Sequence, residues 1–261
     1  MRHQPRKRFG QNFLRDDGVI HDIERAIAPA ADDHLVEIGP GEGALTQALV
    51  TSGCKLDAVE LDRNLTTRLL AAFSIYPGFT LHSADALAFD FEGLASPAQR
   101  LRVVGNLPYN ISTPLIIRLL EQKTAIEDMH FMLQLEVVER LAAEPGSKEW
   151  GRLGVLTQLQ CEVEKLIEVP PEAFYPPPKV QSAVVRLTPR QTSPYPPVHL
   201  PDLQRLVTQA FSQRRKTLRN TLKKTVSDDV WQKCDIDPNL RPEMISIEQF
   251  VALSNLLQHS R

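Results

Sequence analysis

Cysteine is scarce in this sequence, with only Cys54, Cys161 and Cys234 among 261 residues. Their wide separation fits neither a disulfide framework nor a zinc-ligand spacing, so they read as buried thiols. The seven histidines include no His-x-x-x-His pair, and no Gly-x-Ser-x-Gly elbow occurs. Metal-dependent and serine-dependent hydrolysis therefore have no support, and no metal is expected. No apolar run is long enough to cross a bilayer, and the first fifteen residues are polar without a signal-peptide core. The expectation is a cytoplasmic protein with no membrane partner. What is plentiful is hydrophobic side chain, 42% of the sequence, which supports a large domain with a sizeable core and a smaller one beside it.

The formal net charge of -2 conceals an uneven distribution. Residues 1–15 carry Arg2, Arg6, Lys7, Arg8 and Arg15 without an acid, and residues 205–224 carry Arg205, Arg214, Arg215, Lys216, Arg219, Lys223 and Lys224 without an acid. Clustered cations of this kind suit a polyphosphate partner, because counterion release rewards local rather than net charge. Arg6, Lys7, Arg8, Arg214, Arg215, Lys216, Arg219 and Lys223 are the candidate nucleic-acid contacts. A solvated helix face and a frayed terminus are the plain alternative.

Between residues 17 and 187 short apolar strands alternate with amphipathic helical stretches, the pattern of an α/β fold with a doubly wound, mostly parallel sheet. Strands are expected near 34–38, 56–60, 79–82, 101–105, 128–134, 163–169 and 183–187. Helices are expected near 17–28, 43–51, 63–73, 111–121, 135–142 and 152–161. Pro189, Pro194, Pro196, Pro197 and Pro201 mark a stiff connector over 189–201. The division expected is therefore a first domain over 1–188 with a basic N-terminal arm, the connector, and a small helical domain over 202–261, with a basic helix near 203–224.

The first strand runs into Glu37-Ile38-Gly39-Pro40-Gly41-Glu42-Gly43-Ala44, a glycine-rich turn opening a helix, and Glu60 closes the next strand. This is the layout of a nucleoside-binding half, in which the glycines admit a ligand close to the backbone and the carboxylate holds ribose hydroxyls. Gly39, Gly41 and Ala44 also fit a nicotinamide fingerprint. Charge separates the two cofactors: Glu37, Glu42, Asp62 and Asp85 would repel a pyrophosphate, whereas S-adenosylmethionine, with one net positive charge, suits an acidic crevice.

The strand over 101–105 ends in Asn106-Leu107-Pro108-Tyr109. The exocyclic amine of adenine is a poor nucleophile because its lone pair is delocalised into the ring. An Asn106 side-chain oxygen and a Leu107 carbonyl that accept its N–H bonds would favour a tetrahedral nitrogen, with Tyr109 stacked on the base and Pro108 fixing the turn. An ordinary Asn-Pro turn is the plain alternative.

In order and spacing, Gly10 to Leu14, Glu37 to Thr46, Glu60, Asp85 to Leu87, Asn106 to Tyr109, Phe174 to Val180, and Phe211 to Asn220 resemble the ribosomal RNA adenine N6,N6-dimethyltransferases over nearly the whole chain. The resemblance implies a seven-stranded Rossmann-like methyltransferase sheet and S-adenosylmethionine as cofactor. It implies a cofactor pocket of Asn12, Leu14, Gly39, Gly41, Glu60, Asp85, Ala86 and Asn106, with Glu60 on the ribose and Asp85 at the cofactor adenine. Asn106, Leu107 and Tyr109 take catalytic places, and Phe174 becomes a second aromatic face opposite Tyr109. The match reaches past the connector, which favours the branch acting on 16S rRNA over the related resistance methylases of the large subunit.

The implied activity is N6,N6-dimethylation of two adjacent adenosines near the end of 16S rRNA, with the assembling 30S subunit as partner and a monomer as the expected state. The chain departs from the family pattern at Leu135, where lysine is common, and at Trp150, where tyrosine is common; either change could alter an RNA contact. A non-catalytic assembly factor, a 23S rRNA or DNA adenine methylase and, more distantly, a nicotinamide oxidoreductase remain as alternatives.

Overall fold

The computed structural model describes residues 11–96 and 98–259. By its internal contacts the chain forms two units, residues 1–138 with 162–189, and residues 139–161 with 190–261.

The first unit opens with β1 (Phe13–Leu14) and α1 (Asp17–Ile27), whose first turn is capped by the Asp16 carboxylate accepting the Val19 amide at 2.9 Å. There follow β2 (His34–Ile38), α2 (Ala44–Val50), β3 (Lys55–Glu60), α3 (Arg63–Phe73), β4 (Phe79–Ser83), β5 (Leu101–Asn106), α4 (Ser112–Glu121) and β6 (Ile126–Gln134). After α5 (Leu135–Ala142) and α6 (Arg152–Gln158), the chain returns through β7 (Cys161–Val169), β8 (Phe174–Tyr175) and β9 (Ser182–Pro189). Seven strands form one sheet in the order β4-β3-β2-β5-β6-β9-β7, parallel from β4 through β6, with β9 antiparallel to β6. Each expected strand lies in this sheet, so the Rossmann-like reading holds.

The central strands are buried on both faces, which is why β2 reads as an unbroken hidden run rather than an alternation. The chain leaves β2 toward β3 and β4 and then crosses back to β5 on the other side. That reversal opens a crevice at the carboxyl ends of β2 and β5, the usual ligand position in such sheets. Close approach there is set by Gly105, where a Cβ would lie 2.5 Å from the Ile38 carbonyl oxygen.

The short ladder of β1 with β8 has no counterpart in the expected strands; it pairs Phe13 with Tyr175 and Leu14 with Phe174. Two residues are too few to show a period in sequence. Another correction concerns the helix expected to reach 161. It ends at Gln158, and Cys161 already begins β7.

The second unit is helical, with α6, α7 (Leu200–Ala210), α8 (Leu218–Thr221), α9 (Asp228–Cys234) and α10 (Ile247–His259). Its core joins Val155, Leu203, Val207, Leu218, Trp231, Phe250 and Val251. The boundary expected at 188 misses the earlier excursion over 139–161. Apolar residues there, Ala143, Trp150, Val155 and Leu159, complete this core rather than the sheet's. Nor does the proline stretch act as a free spacer. Tyr195 and Val198 pack on the same core, and Asn255 donates to the Pro197 carbonyl at 3.0 Å.

Candidate active site

A cavity of about 240 Å³ occupies the crevice at the carboxyl ends of β2, β3 and β5. Asn12, Leu14, Gly39, Gly41, Glu60, Asp85, Ala86 and Asn106 all line it, as do Leu107 and Tyr109. Residues from five separate stretches of sequence thus meet in one place.

The glycine loop forms one wall. Gly39, Gly41 and Gly43 adopt φ of 67°, 61° and 86°, the left-handed region that side chains with a Cβ rarely enter. A Cβ on Gly41 would also sit 3.0 Å from the Phe13 ring. Glu60, buried at the end of β3, accepts the Asp62 amide at 2.8 Å and the Gly41 amide at 3.3 Å, one on each carboxylate oxygen. Its carboxylate is thereby oriented while each oxygen keeps accepting capacity for a ligand hydroxyl. Burial raises its pKa, and those backbone bonds restrain the rise.

Glu37 lies deeper, with the Thr46 hydroxyl donating to it at 2.6 Å. Burial pushes its carboxyl up to about 7, against that bond and with help from the Glu60 charge. Asp85 is exposed at the rim and accepts the Leu87 amide at 2.9 Å.

Glu37, Glu42, Glu60, Asp62 and Asp85 line the cavity, and no lysine or arginine does among the described residues. That donor set fits a nucleoside carrying net positive charge, such as S-adenosylmethionine. It does not fit a pyrophosphate, whose negative charge would meet these five acids and no lysine or arginine among the described residues.

Asn106 ends β5, and its side-chain NH2 donates to the Asn12 carbonyl at 3.0 Å. A carbonyl can face only the NH2 of that amide, so the Asn106 Oδ1 is turned away as an acceptor. The Leu107 amide donates to Met132 O at 3.2 Å, which extends the β5–β6 register one residue into the turn. Tyr109 shares a 2.7 Å hydrogen bond with Ser182 Oγ on β9, and burial raises its phenol pKa. A neutral, anchored ring is a stacking surface rather than a base. The sequence gives no sign of Ser182, which lies 73 residues away.

Phe174 is not brought to the cavity. It is 4% exposed, packed in the first unit's core, while its neighbour Tyr175 is 52% exposed. Strand alternation in β8 explains this, since adjacent residues face opposite ways.

The expected RNA contacts divide. Arg6, Lys7 and Arg8 lie outside the described residues. Arg214, Arg215 and Lys216 are exposed, but in the turn between α7 and α8, so the single basic helix expected near 203–224 is two helices with a basic loop. Lys223 is exposed after α8, and Arg219 pairs with Asp228 at 3.0 Å. Trp150 is buried, with its indole N–H donating to Ile245 O at 2.9 Å, so this departure from the family pattern serves packing. Leu135 opens α5 half-buried.

A seven-stranded sheet with this reversal, opening on an acid-lined cavity at its carboxyl edge, has the Rossmann-like methyltransferase fold. Residues 2–259 match the ribosomal RNA adenine dimethylase family, and the chain belongs to it. It is 56% identical to the ribosomal RNA small subunit methyltransferase A of Pseudomonas aeruginosa and 58% identical to that of Saccharophagus degradans, each over 98% of this chain and 95% of the relative. Among solved structures it is similar to a dimethyladenosine transferase from Plasmodium falciparum, with TM-score 0.75 and 25% identity over 92% of this chain and 95% of that one. It is also similar to the 23S rRNA methyltransferase ErmE, with TM-score 0.73 and 26% identity over 95% of this chain and 100% of that one. Because that likeness to a large-subunit enzyme spans both units, reaching past the connector does not separate the two branches. The high-identity relatives do so.

Proposed function

We propose that this enzyme transfers methyl groups from S-adenosylmethionine to the N6 amine of adenosines in small-subunit rRNA, twice per base. The observation that carries the reading is Asn106, held by the Asn12 carbonyl so that its Oδ1 is an acceptor at the lip of an acid-lined cavity. S-adenosylmethionine, when bound, supplies an electrophilic methyl group on a sulfonium.

The chain's own residues do the rest. Glu60 holds the ribose, and Gly39, Gly41, Asp85, Ala86 and the arm residues Asn12 and Leu14 enclose the nucleoside. Asn106 Oδ1 and the Leu107 carbonyl accept the two N–H bonds of the target amine, which localises its lone pair and aims it. Tyr109 carries the base on its ring. A stacked face contributes about 1–3 kcal/mol, comparable to the few kcal/mol needed to draw an adenosine out of its stack. The amine proton is then lost to water. After one transfer a single N–H remains, and either acceptor can hold it for the second.

Arg214, Arg215, Lys216, Arg219 and Lys223 supply phosphate contacts to folded RNA in the assembling 30S subunit. Incubation with methyl-labelled S-adenosylmethionine and 30S subunits lacking dimethyladenosine, followed by nucleoside digestion, tests the reading. Label in N6,N6-dimethyladenosine supports it. Label appearing only when 50S subunits replace 30S subunits would move the substrate to large-subunit RNA, as the likeness to ErmE allows.

A further inference from the structure

One wall of the cavity is the segment Gln11 to Leu14, in which Phe13 and Leu14 are buried in the core of the first unit. Its strand β1 pairs with β8 over two residues, and the amides of Arg15 and Asp16 both reach the Ala173 carbonyl, at 2.8 and 3.3 Å. A ladder this short is marginal alone. Side chains must therefore do much of the fastening.

Arg15 makes two such contacts at once. Its guanidinium donates to Glu42 Oε2 at 2.9 Å and stands 4.5 Å over the centre of the Tyr175 ring. Glu42 belongs to the glycine loop, and Tyr175 to β8. One cation thus ties the arm to the two segments flanking it. The Arg15 and Glu42 side chains are 35% and 26% exposed, a partly sheltered setting in which an ion pair is less screened than at an open surface. The same arm holds the Asn12 carbonyl that receives Asn106. Release of the arm would loosen both the cofactor wall and the amide that holds the target amine.

We infer that Arg15 is a latch: by clamping the Gln11 to Leu14 wall to Glu42 and Tyr175, it sets how long the cofactor stays bound and keeps Asn106 aimed. This rests on the reading of the cavity as an S-adenosylmethionine site. Arg15 is a positioning residue, since it acts through the arm.

The test measures dissociation of labelled S-adenosylmethionine from the full-length wild type, Arg15→Ala, Glu42→Gln and the double variant. Removal of a partly exposed ion pair with its cation–π contact should speed release about three- to tenfold in Arg15→Ala. Glu42→Gln should give a smaller increase, and the double variant should release no faster than Arg15→Ala, because both act on one interaction. Arg15→Lys, which keeps charge but not the planar fork, should fall between wild type and Arg15→Ala. In turnover, KM for the cofactor should rise by more than kcat falls, which a loss of general stability would not produce.

Wild-type release rates in Arg15→Ala, or independent multiplying effects of the two substitutions, would overturn the latch. A wild type that fails to bind S-adenosylmethionine at all would instead remove the cofactor reading, and the latch with it. That result is distinct from a wild type that binds beside variants that bind identically.

Discussion

The cavity of the first unit and the basic loop of the second hold their charges in opposite ways. Around the cavity, Glu37 and Glu60 are buried and tied by hydrogen bonds to Thr46, Gly41 and Asp62. In the second unit Arg214, Arg215 and Lys216 stand exposed on a turn. Acids held in place by such hydrogen bonds orient a small ligand closely, and chemistry needs that. Long exposed cations adapt to a large polyanion and gain from counterion release, and docking needs that. The contrast teaches that single substitutions should damage chemistry steeply and binding gradually.

The sharpest break of the comparison lies at Asn106. Asn106→Ala removes one of the two proposed acceptors and the tie to Asn12. Loss of one preorganised polar group of this kind typically costs about 10²–10³ in kcat. Single-turnover methylation should fall at least that far, while RNA affinity measured by filter binding stays within about twofold. Near-normal turnover would sink the catalytic assignment.

Glu37 probes the buried side of the contrast through stability. Its carboxyl is raised from 4.5 to about 7 by burial. Below pH 4.5 both folded and unfolded chains hold the proton. Between 4.5 and 7 the unfolded chain releases it while the folded chain keeps it, so this group lowers stability as pH rises, by about 3 kcal/mol in all, and adds nothing further above 7. Glu37→Gln should remove that slope. Urea denaturation at pH 5 and pH 7.5 reads it as a smaller difference in the variant than in wild type, and equal differences would place the Glu37 pKa near its ordinary value.

On the exposed side the losses should be shared among several residues. Arg214, Arg215 and Lys216 changed together to Ala should weaken RNA binding, with the slope of log K against log salt shallower by up to about 3, on the order of one unit per phosphate contact. Methylation at saturating RNA should change little. An unchanged slope would make this loop a solvated turn.

Legibility in the sequence followed the same divide. The central strands could be read because a parallel sheet hides both faces, so that adjacent apolar residues such as Leu35-Val36 in β2 and Val103-Val104 in β5 replace a strict alternation. The glycine loop and the Asn106 turn could be read because each feature sits beside its neighbours in the chain. What escaped was long-range. Phe174 and Tyr175 are adjacent aromatics, and only the β1–β8 register decides that the first is buried and the second exposed. The basic stretch read as one helix because its residues favour helices. Yet Ser212 folds back on α7, its hydroxyl donating to Gln209 O at 2.7 Å, and such local bonds compete with continued helix. Trp150 likewise, a change that could alter an RNA contact on the sequence alone, is buried with its indole N–H donating to Ile245 O.

The gentlest test concerns Tyr109, where the two roles of one side chain separate. Its ring is the proposed platform for the base, and its hydroxyl only fixes that ring through Ser182, which is fully buried. Tyr109→Phe keeps the platform and leaves Ser182 without this partner, a change worth about 1 kcal/mol in stability. For a chain of this size the melting temperature should fall by about 2–4 °C. Methylation should stay within about threefold of wild type, because the proposed role rests on the ring, which the Phe variant keeps. A hundredfold loss in the Phe variant would mean that the hydroxyl takes part in the chemistry, and the division between a positioned platform and the paired acceptors at Asn106 and Leu107 would have to be redrawn.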